Sequence, residues 1–199
     1  MSSTSNTGVV ILAAGSSSRF GEPKQLVKHD GKNLLQTTID AAVNSDAAPV
    51  IVVLGANAEQ VSEEINKSNV HVAINSDWAE GMASSVRIGL NELLFISPSI
   101  EAVILMVCDQ PYISTDLVNQ LINEQKKTGK PIVTCSYGAS TGPPALFDRS
   151  LFIELMQLKG DIGARKIIRH HSNDIATISF AKGTIDIDTK EDYNALKNL

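Results

Sequence analysis

The chain alternates short apolar runs with segments whose apolar residues recur every three or four positions. The runs Val9–Ala13, Val50–Leu54, Val70–Ile74, Ala102–Val107, Ile132–Cys135, Ala145–Phe147 and Ile175–Phe180 have the length and β-branched content of strands. Several are apolar throughout, the pattern of parallel strands covered on both faces. Between them, Leu34, Leu35, Ile39, Ala42 and Val43 make one helical face. Val86, Leu90, Leu93 and Leu94 make a second, and Leu117, Val118, Leu121 and Ile122 a third, with Ser114 as its N-cap. This alternation predicts a three-layer α/β domain with a mostly parallel sheet and right-handed crossovers. Residues 1–7 read as a loose polar tail and 8–199 as a single domain, with the stretch Gly142–Pro143–Pro144 a loop. In such a sheet ligands bind beyond the carboxyl ends of the strands.

Composition narrows the classes. At 199 residues, 43% apolar and 20% charged, the chain is an ordinary globular one that needs no metal or disulfide to fold. A net charge of −5 with no basic run argues against non-specific nucleic-acid binding. The longest apolar stretch, Ala102 to Cys108, falls far short of the ~20 residues of a membrane span, and the first residues lack a signal-peptide pattern. Cys108 and Cys135 both sit inside apolar strand-like runs, which points to a reducing, cytoplasmic protein.

The unusual residues gather after the strands. The first strand runs into Leu12, Ala13, Ala14, Gly15 and Ser16, then Arg19 and Lys24. Small residues let the main chain approach a ligand, consecutive N–H groups form an anion nest, and the two cations add fixed positive charge. Together these suit a triphosphate, although the stretch is neither a Walker loop nor G-x-G-x-x-G. The plainer alternative is a surface loop with two solvated cations. Asp109 follows the very apolar run Ala102–Val107, and Pro111 closes it. A carboxylate there is a natural Mg2+ ligand, since Mg2+ takes one or two carboxylates with phosphate oxygens and water; a turn aspartate is the alternative. In the segment Gly81, Met82, Ala83, Ser84, Ser85, glycine permits close approach and the serines offer hydroxyls, at what also reads as a helix start. Trp78 reads as packing more than as a stacking platform. Asp186 and Asp188 alternate on one side of a short strand, so both can face the site. The histidines show no zinc spacing, and no G-x-S-x-G is present.

The stretch from Leu12 to Lys24 resembles the L-A-x-G-x-S-x-R-x-G-x-x-K signature of small nucleotidyltransferases. Asn75–Arg87, Cys108–Pro111, Gly160–Arg165 and Asp186–Asp192 resemble later segments of the MobA-like group, above all its molybdenum cofactor cytidylyltransferases. The match spans about residues 8–197. It implies a Rossmann-like nucleotidyltransferase fold, Mg2+, and transfer of a nucleotidyl group from CTP to the phosphate of molybdopterin. The product would be a cytosine-dinucleotide cofactor for molybdenum hydroxylases of the xanthine dehydrogenase type. Carried onto this chain, the resemblance makes Arg19, Lys24 and Asp109 catalytic. It places the nucleotide on Leu12, Ala13, Ala14, Gly15, Ser16, Arg19, Lys24, Gly81, Met82, Ser84, Ser85 and Asp109. The metal falls to Asp109 and Asp188, with Asp188 favoured over Asp186 on the resemblance alone. The other aspartate would meet the pterin or cap a helix over Thr189–Asn194. Arg165 or Lys166 could meet a phosphate or lie on a solvated helix face. The guanylyl-transferring relatives have glycine where this chain has Ala14, so a methyl group narrowing the base pocket would favour CTP. Thr141 and Pro143 depart from the family's usual arginine and G-H-P or G-N-P, which bears on the acceptor. Other nucleotides, a sugar or polyol phosphate acceptor, and a non-catalytic cofactor carrier remain open. The intact Arg19, Lys24 and Asp109 set argues against the carrier.

Overall fold

A computed structural model describes residues 6–66, 69–138 and 140–197. The chain runs β1 (Thr7–Ala13), β2 (Lys28–His29), β3 (Lys32–Asn33), α1 (Leu34–Val43), β4 (Val50–Leu54), α2 (Ala58–Glu63), β5 (His71–Ile74) and α3 (Met82–Ile96). It continues through β6 (Ala102–Val107), α4 (Thr115–Thr128), β7 (Ile132–Tyr137), β8 (Ser140–Asp148), α5 (Phe152–Met156), α6 (Arg165–His170), β9 (Ile175–Ser179) and α7 (Lys190–Leu196). Seven strands form one sheet in the order β5-β4-β1-β6-β8-β7-β9, and β2 and β3 make a small separate hairpin. Strands β5, β4, β1 and β6 pair in parallel. Strand β8 runs antiparallel to both neighbours, and β9 is parallel to β7. The expected three-layer α/β architecture is therefore present, with one reversed strand splitting the sheet into a parallel half and a mixed half.

Period-two alternation explains the layers. Val9, Ile11 and Ala13 of β1 bury against Leu35, Ile39 and Leu117 on one face, while Val10 joins Val86, Leu90 and Leu93 on the other. Gly89 lets α3 lie close on the sheet, since a β-carbon there would stand 2.9 Å from Val53 Cγ2. Ser114 caps α4 as expected, its side chain accepting from the Leu117 N–H. Among the described residues no helix is long and apolar enough to cross a membrane.

The structure departs from the sequence reading in places that matter for the site. Of the N-terminal stretch expected as a tail, residues 1–5 lie outside the described residues, and Thr7 is a buried member of β1. The prolines expected in a loop belong to β8. Pairing with β6 stops at Leu105–Ala145, and the register against β7 shifts between Thr134 and Cys135. Pro143 and Pro144 sit at that irregularity, where a missing N–H disrupts no regular ladder. Asp186 and Asp188 are not on a strand: they lie in an extended loop anchored by the Ile187 N–H on the Asp109 carbonyl, 2.9 Å. Neither caps α7. That role belongs to Thr189, whose side chain accepts from the Asp192 N–H while the Asp192 carboxylate bonds back, a reciprocal capping box. Helices α2, α5 and α6 span only five or six residues each, too short for periodicity to reveal.

Candidate active site

The loop after β1 is closed by its own buried amide. Gln25, 1% exposed, donates from Nε2 to the carbonyls of Ala13 and Gly15, both at 2.9 Å. Its Oε1 accepts from Ser17 Oγ at 3.1 Å, and that hydroxyl in turn accepts from the Lys24 N–H at 3.0 Å. The network fixes the loop beneath any ligand and fixes where Lys24 leaves the main chain. The Lys24 ammonium lies 2.8 Å from Asp109 Oδ2 and 2.7 Å from Asp188 Oδ1, and Arg19 meets Asp188 Oδ2 at 3.0 Å. Three segments far apart in sequence thus converge on one charged cluster.

Burial would pull the Lys24 pKa down, but the Asp109 charge and the hydrogen bonds to Asp109 and Asp188 outweigh it and hold it above its ordinary value. Burial likewise opposes ionisation of Asp188, yet bonds and charge from Lys24 and Arg19 leave its carboxyl below the usual range. Asp186 moves the other way, raised first by burial and then by the neighbouring Asp109 and Asp188 charges. Burial pushes the thiols of Cys108 and Cys135 up to about 12, so neither is a nucleophile at neutral pH.

Two cavities meet along this cluster. The first, about 510 Å³, is lined by Leu12, Ala13, Ala14, Gly15, Ser16, Arg19, Lys24, Gly81, Met82, Ser85 and Asp109, the residues expected for a nucleotide, together with Gln25, Trp78 and Asp161. Ser84 does not line it. Its Oγ is buried, donating to the Gly81 carbonyl at 2.8 Å and accepting from Asn75 Nδ2 at 2.8 Å. Asn75 also reaches Ser85 Oγ at 2.9 Å, so one buried amide sets both hydroxyls. Ala14 is 5% exposed and packs beside Gly55, where an added β-carbon would stand 2.8 Å from the Ala14 methyl and 2.7 Å from Trp78 Cβ.

The second cavity, about 740 Å³, shares Leu12, Arg19, Lys24, Met82, Val107, Asp109, Asp161 and Asp188 with the first. Its remaining walls come from β6, β7, β8, α6 and the loops 160–164 and 181–188, and include Leu105, Gln110, Tyr137, Pro143, Arg165 and Asp186. Lys166 lies on a separate surface hollow with Lys159 and His170, so of the two cations weighed for a phosphate only Arg165 faces the cleft. Gly81, at φ 116°, has no room for a side chain: a β-carbon would come 2.7 Å from the Gly160 carbonyl carbon. The loop 160–163 therefore rests on the start of α3, tied by the Ala83 N–H to the Gly160 carbonyl at 3.0 Å. Arg87 holds this junction from behind, donating to both Glu80 carboxylate oxygens and to the Leu158 carbonyl at 2.7 Å. The sequence reading gave no individual role to Gln25, Asn75, Arg87, Gln110 or Asp161, although the last four lie in the segments that resemble the family's. The first two are polar residues whose burial no local pattern announces.

Among the described residues no group of three or more His, Cys, Asp or Glu side chains forms a ready metal cage. The donor set nevertheless suits a hard divalent cation that takes its other ligands from phosphate and water. Asp109 and Asp188 already share one cation, the Lys24 ammonium, and both carboxylates open onto the two cavities.

Comparison with known proteins places the chain in a family. Over 193 residues the chain is 28% identical to nicotine blue oxidoreductase of Paenarthrobacter nicotinovorans, covering 92% of each. It is 28% identical over 200 residues to purine catabolism protein PucB of Bacillus subtilis, covering 94% of each. To molybdenum cofactor cytidylyltransferase of Escherichia coli it is 23% identical over 189 residues, again 94% of each. Among solved structures, Rv0371c of Mycobacterium tuberculosis superposes with a TM-score of 0.82 at 29% identity, covering 97% of each chain. A structure of Rv0371c in complex with manganese gives 0.77 at 27% identity, covering 96% of each. Residues 9–175 match the MobA-like NTP transferase domain, and this chain, a nucleotidyltransferase, belongs to that family.

Proposed function

We propose that the protein is a CTP:molybdopterin cytidylyltransferase, moving CMP to the pterin phosphate and releasing pyrophosphate. One observation carries this reading: the Lys24 ammonium, bonded to both Asp109 and Asp188, stands where two cavities meet. A nucleoside triphosphate in the first cavity and a phosphorylated acceptor in the second would bring their phosphates together at that cluster. An acceptor phosphate oxygen attacks the α-phosphorus in line, one P–O bond forms, and the bond to the β-phosphate breaks. The acceptor phosphate is already ionised, so no general base is required. Catalysis is then positioning and charge neutralisation. Backbone N–H groups around Gly15 and Ser16, with Lys24 and Arg19, hold the triphosphate. Asp109 and Asp188 would hold a divalent cation, Mg2+ in this reading, which would supply charge neutralisation for the phosphates. The relative that is a molybdenum cofactor cytidylyltransferase and the neighbour crystallised with manganese support these choices. A molybdenum hydroxylase of the xanthine dehydrogenase type would receive the product.

One relative carries an oxidoreductase name. In this reading the lysine shared by two carboxylates beneath a small-residue loop serves phosphates. A second reading keeps the transferase and changes the acceptor. It is favoured by Pro143, which lines the second cavity where the family pattern has a polar residue. The test is pyrophosphate release across CTP, GTP and ATP, each paired with molybdopterin and with sugar and polyol phosphates. Turnover confined to CTP with molybdopterin is expected. Turnover with a sugar phosphate and none with molybdopterin would replace this assignment by the second.

A further inference from the structure

Trp78 is the chain's one tryptophan, and the core does not use it. The sequence reading takes it for packing, yet in the fold it joins none of the hydrophobic clusters and stays 37% exposed. Among the described residues its indole N–H has no hydrogen-bond partner and its ring no aromatic or cationic neighbour. The main chain that carries it is nevertheless held at both ends. The Asp77 N–H donates to Asn75 Oδ1 at 2.9 Å, and the Gly81 N–H donates to the Trp78 carbonyl at 3.1 Å. Next to it, Arg87 donates to both Glu80 carboxylate oxygens. Trp78 Cβ rests on Gly55, where an added β-carbon would stand 2.7 Å away. A large aromatic side chain is thus mounted on fixed backbone with its ring left uncommitted, and it lines the first cavity.

The strand order shows what could use that ring. The sheet runs β4-β1-β6, Gly55 follows β4 directly, and Asp109 stands just beyond β6. Trp78 on Gly55 and the cluster of Lys24, Asp109 and Asp188 therefore lie on opposite sides of the loop after β1. The strands leading to them are two spacings apart, roughly 10 Å. A nucleoside triphosphate has the matching form, anionic at one end and a flat ring at the other. With its phosphates on the charged cluster, its sugar crosses the loop after β1 and its base reaches Trp78.

We propose that Trp78 is the stacking platform for the nucleotide base. This rests on the first cavity being the nucleotide site of the proposed transferase. Every base has a π-face, so the contact supplies affinity common to all nucleotides and leaves the choice among them to polar contacts. With one tryptophan in the chain, intrinsic fluorescence reports on Trp78 alone. The whole chain is titrated with CTP and with inorganic tripolyphosphate, following emission excited at the red edge of the indole band and, in parallel, heat. CTP should quench the emission, and tripolyphosphate should leave it unchanged. Trp78→Ala should weaken CTP about tenfold or more, and Trp78→Phe should keep it within about threefold of wild type. Affinity for tripolyphosphate should stay within about twofold in both variants. The wild-type titration decides the matter even if Trp78→Ala fails to fold. CTP that binds by heat without changing the emission overturns the proposal, as does equal quenching by tripolyphosphate or unchanged CTP affinity in a folded Trp78→Ala. Absence of any CTP binding removes the proposal together with the nucleotide site. Pyrophosphate release separates the two readings otherwise. Turnover with an unquenched Trp78 overturns this proposal and leaves the transferase. Quenching by CTP that Trp78→Ala weakens, with no pyrophosphate release on any acceptor, supports this proposal and removes the transferase.

Discussion

The first cavity is lined mostly by two short contiguous stretches rich in small residues, whereas the second draws its walls from scattered segments. Residues 12–19 and 81–85, with Lys24 and Gln25, supply most of the first, and its loop hangs on a buried glutamine whose Nε2 and Oε1 are both engaged. The second draws on β6, β7, β8, α6 and the loops 160–163 and 181–188, and its buried glutamine is half satisfied. Backbone donors recognise what every nucleoside triphosphate has in common. Side chains from scattered segments can vary one at a time, which suits the part of a transferase that must distinguish acceptors. The line between the two cavities is drawn by Asp109, Asp188 and Lys24, and substitutions there should act on both.

The largest effect should therefore come from Asp109. Asp109→Asn keeps the shape and removes the charge, and metal-assisted charge neutralisation is worth several kcal/mol. Turnover measured by pyrophosphate release at saturating Mg2+ is expected to fall roughly 100-fold or more, with an unchanged circular dichroism spectrum. A near wild-type rate would remove Asp109 from the chemistry and break the shared line between the cavities.

Lys24→Ala should follow, with a loss of about tenfold to a hundredfold, and Arg19→Ala should cost less. The Arg19 side chain is 70% exposed and pairs with Asp188, while that of Lys24 is 17% exposed and bridges both carboxylates. Stability gives a second readout. A carboxyl whose folded pKa lies below its unfolded value contributes stability that is present above the unfolded value and lost as pH falls through the folded one. Asp188 is such a group, with an ordinary value of 3.8 and a lower one in the fold. In Lys24→Ala its main cation is gone, so that contribution is missing at neutral pH. Denaturant unfolding should show wild type ahead of the variant at pH 7 and the gap closing as pH drops below ~4. A gap that widens toward acid would contradict the pairing.

The contrast between the cavities also accounts for what could be read from sequence. Parallel strands announce themselves by unbroken apolar runs, and Val50–Leu54 and Ala102–Val107 were located to the residue. The loop from Leu12 to Lys24 was legible because its small residues and cations are contiguous. Gln25 and Asn75 were not, because burial of a polar side chain depends on what tertiary packing places over it. The prolines of β8 misled for a related reason: proline signals a break in pairing, and only the register against β7 and the end of β6 show that a strand can hold one there. Asp186 and Asp188 line the second cavity from an extended loop, where the sequence reading had put them on a strand.

Gln25 offers a sharper separation of the two cavities. Gln25→Leu fills the same space and leaves the Ala13 and Gly15 carbonyls without the donor they now share. An unsatisfied buried carbonyl costs about 1–3 kcal/mol, and the loop is expected to shift to relieve it. KM for the nucleotide should rise roughly tenfold, while affinity for a pterin phosphate measured without nucleotide stays the same. Equal losses on both sides would mean that the cavities are one mechanical unit, and the contrast drawn between them would fail.

The smallest effect concerns the base. From sequence, the Ala14 methyl group would narrow the pocket and select a pyrimidine, a form of overpacking that typically costs ~1–3 kcal/mol against a purine. In the fold Ala14 does line the first cavity, yet it is 5% exposed and its methyl lies against Gly55 and beside Trp78. A group so covered supports the floor from below and presents little surface to a base above it. Removing it frees the backbone more than it enlarges the pocket. Ala14→Gly is therefore expected to change the CTP-to-GTP ratio of kcat/KM by roughly threefold or less, with most of the selectivity left to contacts from Gly81 and Ser85. Measuring kcat/KM for CTP, GTP and ATP on both proteins decides it. A tenfold collapse of the ratio would show that the methyl reaches the base after all. A wild-type preference for GTP would remove the cytidylyl assignment and leave the contrast between the two cavities untouched.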